Sequence, residues 1–332
     1  MSYYSEGHTF ANRLQAIKHH QLTQEPINFY YHDEVFSKLN WKVEPEGSLD
    51  FHYKMQAQHI RDEYDYVILC YSGGYDSSNI LEVFHYNNIK LDKIVVTGPF
   101  KQDSQSGVDE NHNGEIYKNA FPHLSSMGLD SIVHVVDYTE LYGDMNNFSI
   151  YALGENWVDD IGGKYSPHHF FWRDLPKHIV PANQRDKKVA IIWGTDKPFM
   201  QIRDGVRGFA FGDTYVTSYA RYMQDKTPNI KNINFYWDED YPLILLKQMH
   251  ILKDNNLGNA VQNINLIYNL KHPLIYKSGK SPHPTFGVRD RFLLNHKNSD
   301  LYKFYQLGMA RLQREVGLES LWPIFSKFYA IE

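Results

Sequence analysis

The chain has 332 residues, of which 42% are hydrophobic and 22% charged, a composition that suits a globular protein with a large buried core. Its net charge of -5 lacks the basic excess that neutralises a polyphosphate backbone, which disfavours nucleic acid as the main partner but leaves a local basic groove open. The single cysteine, Cys70, excludes an internal disulfide and a four-thiolate zinc site. Without a signal peptide or an apolar run near the ~18 residues of a membrane span, we expect a cytoplasmic protein with no membrane partner.

The first part of the chain leads into a strand, a loop and a helix. Residues 1–60 are mixed and polar, with one helix predicted around residues 10–20 and irregular structure after it, and we interpret them as an arm or cap. The apolar run at 65–71 is typical of a buried parallel strand. Beyond a short polar loop, residues 78–86 place apolar side chains on one face of a predicted helix.

Three more apolar runs predict the rest of a sheet. They lie at residues 93–97, 131–137 and 188–193, and a helix is predicted at 115–127 between the first two. Strands separated by helices indicate an α/β fold with a parallel sheet and right-handed crossovers. In such sheets the ligand lies at the carboxyl ends of the strands, where this sequence places its polar loops.

The chain is divided by this pattern into three parts. After the N-terminal arm, residues 61–225 form the predicted α/β domain, and residues 226–332 form a mostly helical C-terminal region. The helices predicted there span 243–254, 260–270 and 299–317.

The strongest local signal is the loop that joins the first predicted strand to its helix. Gly73 and Gly74 allow the backbone to take positive φ and to approach a ligand closely. Backbone amides and the start of the next helix favour an anion, and the hydroxyls of Ser72 and Ser77 can bind phosphate oxygens. The alternative is a plain strand-to-helix turn capped by Ser or Asp, which accounts less well for the clustering of these residues.

Asp76 adds a carboxylate to this predicted phosphate loop. A carboxylate beside a phosphate is repulsive unless a cation lies between them, so the loop predicts Mg²⁺ as well as a nucleotide. The loop has no lysine, which excludes a Walker A motif.

The run Ser72–Ser77 resembles the SGGxDS signature of the PP-loop (N-type) ATP pyrophosphatases, which include asparagine, NAD, GMP and argininosuccinate synthetases and several tRNA-modifying enzymes. The resemblance is close over residues 65–100 and looser over 65–215. It implies a HUP-type (Rossmann-like) fold, ATP held by its pyrophosphate on the loop, and Mg²⁺. The segment 235–238 and the Asn-, Tyr- and Lys-rich composition are also similar to PP-loop proteins of bacteriophages, which would place the protein in the host cytoplasm.

A second polar segment follows the fourth predicted strand. The resemblance implies that Lys197 contacts the β- or γ-phosphate and that Asp196 joins Asp76 at Mg²⁺; the alternative is a solvated Asp-Lys-Pro turn. Thr97 and Gly98 are candidates for the adenine or ribose side, or an ordinary strand end. The predicted catalytic residues are Asp76 and Lys197, and the predicted metal ligands are Asp76 and Asp196. The predicted nucleotide-binding set is Tyr71, Ser72, Gly73, Gly74, Asp76, Ser77, Thr97, Gly98, Gly194 and Lys197.

These features predict an enzyme that forms AMP and pyrophosphate. A glutamine-dependent amidotransferase releases ammonia with an N-terminal nucleophilic cysteine, which is absent, and about 65 residues are too few for a glutaminase domain. Thiolation of tRNA through a persulfide is disfavoured because Cys70 lies inside a predicted strand. The expectation is therefore adenylation of a carboxylate or amide oxygen of a small molecule, followed by attack of an amine. Two alternatives stay open: modification of a tRNA or phage DNA base, and a nucleotide-binding regulator without turnover. The sequence leaves the oligomeric state open.

Overall fold

The structure is a computed structural model that describes residues 2–10, 13–30, 32–98, 100, 116–137, 175–194, 200–212, 229–254 and 326–332. Its strands are β1 (Ser2–Ser5), β2 (His8–Phe10), β3 (Asn28–Tyr30), β4 (Tyr66–Cys70), β5 (Lys93–Gly98), β6 (Val133–Asp137), β7 (Val189–Trp193), β8 (Met200–Arg203), β9 (Val206–Gly212), β10 (Ile230–Asn234) and β11 (Ser326–Ala330). Its helices are α1 (Arg13–Thr23), α2 (Asp33–Phe36), α3 (Leu49–Glu63), α4 (Tyr75–Tyr86), α5 (Phe121–Ser126) and α6 (Leu243–Asp254). A π-helical turn, Ile116–Ala120, leads into α5.

A five-stranded parallel sheet forms the centre of the molecule. Its strand order is β10-β7-β4-β5-β6. The chain moves from β4 outward through β5 to β6, then returns to the other side of β4 for β7 and β10. The order therefore reverses between β4 and β7, as in Rossmann-like folds, and such a switch point is where open α/β sheets bind ligands. The predicted α/β fold with a parallel sheet is confirmed.

Helices α3 and α4 cover the centre of this sheet, and α6 packs on α3. Contacts join α3 to both α4 and α6, and α3 and α4 also contact β4. Ile80, Leu81 and Phe84 of α4 are fully buried, which confirms the apolar face predicted for that helix. Strand β4 is buried through Val67, Ile68 and Leu69, so the loop that follows it starts from the most rigid part of the core.

Helix α3 and strand β10 were not predicted from the sequence. Helix α3 begins at Ser48, whose side chain accepts a hydrogen bond from the Phe51 amide at 3.2 Å, and it belongs to the helical layer rather than to an irregular arm. Its apolar stripe is interrupted by His52 and Gln56, which are both buried. Strand β10 adds a fifth parallel strand from beyond residue 225, and its polar positions hide the strand pattern.

A second, antiparallel sheet has the order β11-β9-β8. Its hairpin turns at Asp204 and Gly205, which both have positive φ, as a tight two-residue Asp-Gly turn requires. Trp41 stacks on Phe209 and Tyr329 with ring centroids 5.6 and 4.7 Å away, which joins this sheet to the N-terminal part of the chain.

The C-terminal region is described only in part. Helix α6 lies where it was predicted, and β11 is a strand in the region predicted to be mostly helical. The helices predicted at 260–270 and 299–317 lie outside the described residues. Among the helices that the structure describes, none combines the length and the hydrophobicity needed to cross a bilayer.

Asp92, just before β5, joins the N-terminal ends of β4 and β5 to helix α3. Its Oδ2 accepts hydrogen bonds from the Val67 amide at 2.9 Å and from Arg61 of α3 at 2.6 Å. Burial opposes ionisation, but hydrogen bonds from Lys90, Arg61 and Val67 outweigh it, so the pKa of Asp92 lies below its usual value. One carboxylate thus joins α3, β4 and β5.

We expect Asp92→Ala to lower the free energy of unfolding by about 1–3 kcal/mol, because it leaves a buried amide and a guanidinium without their acceptor. Since the pKa of Asp92 is depressed in the folded state, its contribution is present above the unfolded pKa of about 3.9 and is lost as the pH falls below it. Urea denaturation of both proteins between neutral and acidic pH measures this. Asp186→Ala, in an exposed turn, is the control. Equal losses in the two variants would contradict the assignment.

Candidate functional site

The glycine-serine loop, residues 71–77, lies at the carboxyl end of β4, at the switch point of the sheet. It leads directly into α4, whose first residue is Tyr75. Strand β7, the neighbour of β4 on the other side of the switch point, ends beside the same helix start. A Cβ atom on Gly194 would lie 2.9 Å from the Ser77 amide nitrogen and 3.0 Å from the Asp76 carbonyl carbon. Only glycine permits β7 to end this close to α4.

Two features of the structure favour glycine at position 73. Its φ of 82° lies in the left-handed region that side chains disfavour. A Cβ there would also lie 2.8 Å from the backbone nitrogen of Ala120, in the π-helical turn before α5. Gly74 then precedes α4 with an extended backbone, φ −79° and ψ 168°. The two glycines bring the chain from a buried strand into a helix within a very short loop.

The two serines of the loop occupy different environments. Ser77 is buried, and its Oγ accepts a hydrogen bond from the Ser72 amide at 3.2 Å and donates one to the Gly74 carbonyl at 3.2 Å. Ser72 is exposed, and its Oγ accepts a hydrogen bond from the Gly74 amide at 3.3 Å. Ser77 therefore holds the loop in shape, whereas Ser72 presents its hydroxyl group at the surface.

Asp76 lies in the first turn of α4 and is half-buried. Its backbone carbonyl accepts a hydrogen bond of 2.7 Å from the hydroxyl of Tyr236, which follows β10. That hydroxyl also accepts a hydrogen bond of 3.1 Å from Asn79 of α4. Burial and then the negative charge of Asp76 raise the pKa of Tyr236 well above its usual value, so it remains a donor. Tyr236 thus fastens the start of α4 to the end of β10.

A second buried network supports the loop from the other side. The hydroxyl of Tyr71 lies 2.7 Å from His123 Nδ1 and 3.2 Å from Ser78 Oγ, and His123 Nε2 lies 3.6 Å from the Glu82 carboxylate. Tyr71, which was predicted to bind the nucleotide, is 3% exposed, and its hydroxyl contacts this network; its role in nucleotide binding stays a prediction. Sequence reasoning missed His123, Glu82, Asn79 and Tyr236, since no spacing connects partners so far apart along the chain.

The structure brings most of the predicted set to one edge of the sheet. Thr97 and Gly98 lie at the carboxyl end of β5, where both are buried, and the Tyr71 amide donates to Val95 of that strand at 2.8 Å. Lys197 and Asp196 lie outside the described residues. The predicted residues at the shared carboxyl edge of β4, β5 and β7 are Tyr71, Ser72, Gly73, Gly74, Asp76, Ser77, Thr97, Gly98 and Gly194.

This arrangement is suited to an anion. The N-terminus of α4, a helix of 12 residues, carries the partial positive charge of the helix dipole, and the glycine backbone lets a ligand approach it. The exposed hydroxyl of Ser72 adds a donor, and the carboxylate of Asp76 adds a ligand for a hard cation that would accompany the anion. The thiol of Cys70 is buried, and burial raises its pKa well above the usual value, so it is not a nucleophile here.

Comparison of the chain with family models, curated proteins and solved structures found no match in any of the three.

We expect Gly73→Ala to destabilise the fold more than a positive φ alone explains, by about 1–3 kcal/mol beyond its control, because the added methyl group meets the backbone of Ala120. The matched control is Gly128→Ala. Gly128 also has positive φ, at 68°, but a Cβ there would meet nothing within 4 Å. Urea denaturation measures both variants, and equal losses would show that the contact with Ala120 does not constrain the loop.

We expect Tyr236→Phe to cost about 1–3 kcal/mol of unfolding free energy, because it leaves the Asp76 carbonyl and the Asn79 amide without their hydroxyl partner. Tyr86→Phe is the control, since Tyr86 lies at the exposed end of the same helix. Amide hydrogen exchange locates the effect: exchange should accelerate in the first turn of α4 and not in β5. Uniform acceleration would contradict a local role for Tyr236.

Proposed function

We propose that the protein binds Mg-ATP on the glycine-serine loop and splits it between the α- and β-phosphates. The observation that carries the proposal is the meeting of a glycine loop, a helix N-terminus and the end of β7 at the switch point of a parallel sheet. The resemblance of residues 72–77 to the PP-loop signature supports ATP pyrophosphatase chemistry over other phosphate chemistry. It also favours the HUP-type variant of the Rossmann-like fold, with a helical C-terminal region.

Each residue of the site has a proposed task. The amides of the loop and of the first turn of α4 bind the pyrophosphate portion of ATP, and the Ser72 hydroxyl donates to a phosphate oxygen. Asp76 holds the magnesium ion together with Asp196, and Lys197 neutralises a terminal phosphate. Thr97 and Gly98 line the adenosine side, at the end of β5. Mg²⁺ would neutralise the phosphate charges, and the protein would position ATP and provide hydrogen-bond donors to it.

The reaction that fits this site is adenylation. A carboxylate or amide oxygen of a small acceptor attacks the α-phosphorus, and pyrophosphate leaves with the electrons of the broken P–O bond. An amine then adds at the activated carbon, AMP departs, and the proton of the amine passes to solvent. Because the thiol of Cys70 is buried, the amine is ammonia or an amine substrate taken directly from solution rather than released by this cysteine.

We expect Ser72→Ala to weaken Mg-ATP binding about 10–100-fold, the loss that follows removal of one hydrogen bond to a charged group. Asp76→Asn should lower turnover by about 10²–10³-fold, because it removes a ligand of the metal. Ser37→Ala and Asp186→Asn, both at exposed positions away from the loop, are the matched controls. Calorimetric titration with Mg-ATP measures binding, and circular dichroism verifies folding.

The reaction is tested by separating AMP from ADP after incubation of the full chain with Mg-ATP. The incubation includes pools of amino acids, nucleosides, ammonium salts and nucleic acids, added one class at a time. AMP and pyrophosphate that depend on a small molecule support the proposal. If AMP formation instead depends on tRNA or DNA, the acceptor is a nucleic-acid base rather than a small molecule. Tight binding without turnover would identify a regulator, and ADP with phosphate would refute the proposed cleavage.

A further inference from the structure

The N-terminal sheet holds a cluster of metal-ligating side chains that the proposed ATP site does not use. Strands β2, β1 and β3 form this antiparallel sheet in that order, and α1 packs on β1 and β2. His8 lies on β2, His19 on α1, and Glu25 on the segment between α1 and β3. One ligand atom from each of these three residues lies within 4.8 Å of the other two. Three separate elements thus bring their donors to one point.

Glu25 and His8 are each held by a contact from outside the cluster, and His19 contacts Glu25 itself. Ser5 donates from Oγ to Glu25 Oε2 at 2.9 Å, and Ser5 pairs with His8 in the β1–β2 hairpin. His8 Nδ1 lies 3.2 Å from the Glu6 carbonyl, which makes Nδ1 the protonated nitrogen and leaves Nε2 with the lone pair. His19 Nε2 lies 2.8 Å from Glu25 Oε2. Outer contacts of this kind orient the ligands of protein-bound metals.

A set of two imidazoles and one carboxylate prefers zinc over Mg²⁺ and Ca²⁺. Zinc takes three protein ligands of this type and leaves the fourth position to water, whereas Mg²⁺ and Ca²⁺ prefer oxygen ligands throughout. His8 is exposed, while His19 and Glu25 are half-buried, so one side of the cluster is open to solvent. Ligands of a tetrahedral zinc ion lie about 3.4 Å apart, so the widest pair has to close by about 1.4 Å, within the reach of side-chain rotation.

We propose that His8, His19 and Glu25 form a zinc site in the N-terminal sheet. On zinc binding, His19 gives up the proton on Nε2 to solvent and carries its one remaining proton on Nδ1, so the imidazole is neutral; His19 Nε2 and Glu25 Oε2 then each donate a lone pair to the metal. The metal joins β2, α1 and the segment before β3, and it stabilises this part of the chain. The proposal is independent of ATP binding, because its residues and its ion differ from those of the loop.

The alternative is a hydrogen bond between His19 and Glu25 that only holds the end of α1. In that case His8 is a neighbour rather than a ligand, and its removal has no effect on metal binding. The ring of His8 lies tilted against that of His19, with centroids 4.8 Å apart, and such a contact alone requires no ion. The role of His8 therefore decides between the two interpretations.

The experiment uses the full chain after treatment with a chelator and dialysis. Co²⁺ is titrated as a spectroscopic probe, since its visible absorption reports a four-coordinate site, and Zn²⁺ is then added to displace it. The variants are His8→Ala, His19→Gln and Glu25→Gln, with His59→Ala as the control, because His59 is exposed on α3. Circular dichroism shows that each variant folds.

The expected result is a tetrahedral Co²⁺ spectrum in the wild type and in His59→Ala. Zn²⁺ affinity should fall at least about 100-fold in each of the three ligand variants, and by about tenfold in Ser5→Ala, which removes only an orienting contact. Zn²⁺ should raise the melting temperature of the wild type and not that of His8→Ala. If the wild type binds no Co²⁺, or if His8→Ala binds Zn²⁺ as the wild type does, the zinc site is refuted.

Discussion

The contact on which the candidate site depends is the close approach of Gly194, at the end of β7, to the first turn of α4. Two neighbouring parallel strands normally diverge at a switch point and leave a crevice above them. Here the missing side chain of Gly194 lets β7 end against the Ser77 amide nitrogen, 2.9 Å from where its Cβ would lie. The end of β7 therefore packs directly on the start of α4, and backbone atoms of both elements lie next to the exposed side chain of Ser72.

That helix start is held from both sides by buried hydroxyl groups. Tyr236, which follows β10, donates to the Asp76 carbonyl, and Tyr71, which follows β4, lies against His123 and Ser78. Because burial raises the pKa of Tyr236 well above its usual value, its bond is present over the whole physiological range of pH. The amides of α4 thus have fixed positions before any ligand arrives, which lowers the cost of binding an anion.

The sequence revealed the parts of this arrangement that leave a local pattern. Strands β4, β5 and β7 are rich in consecutive apolar residues, β6 has three valines interrupted by His134, and the loop concentrates glycine, serine and aspartate in a few residues. Strand β10 was missed because Asn232 and Asn234 interrupt its apolar pattern. Asn232 is buried, and its side chain accepts a hydrogen bond from the indole of Trp193 at 2.9 Å. A buried polar residue whose hydrogen-bond partner is distant in sequence cannot be distinguished from a surface residue by the sequence pattern alone.

The serines of the loop show why a motif alone does not assign roles. Ser72 and Ser77 are equivalent by residue type, yet Ser77 is buried and bonded to Ser72 and Gly74, while Ser72 is exposed. Both hydroxyl groups belong to the hydrogen bonds that stabilise the loop, since Ser72 Oγ also lies 3.2 Å from Ser77 Oγ, but a ligand can reach Ser72 from solvent. The proposed phosphate contacts therefore come from backbone amides and from Ser72. The fold depends on Ser77, so changes at the two serines separate binding from stability.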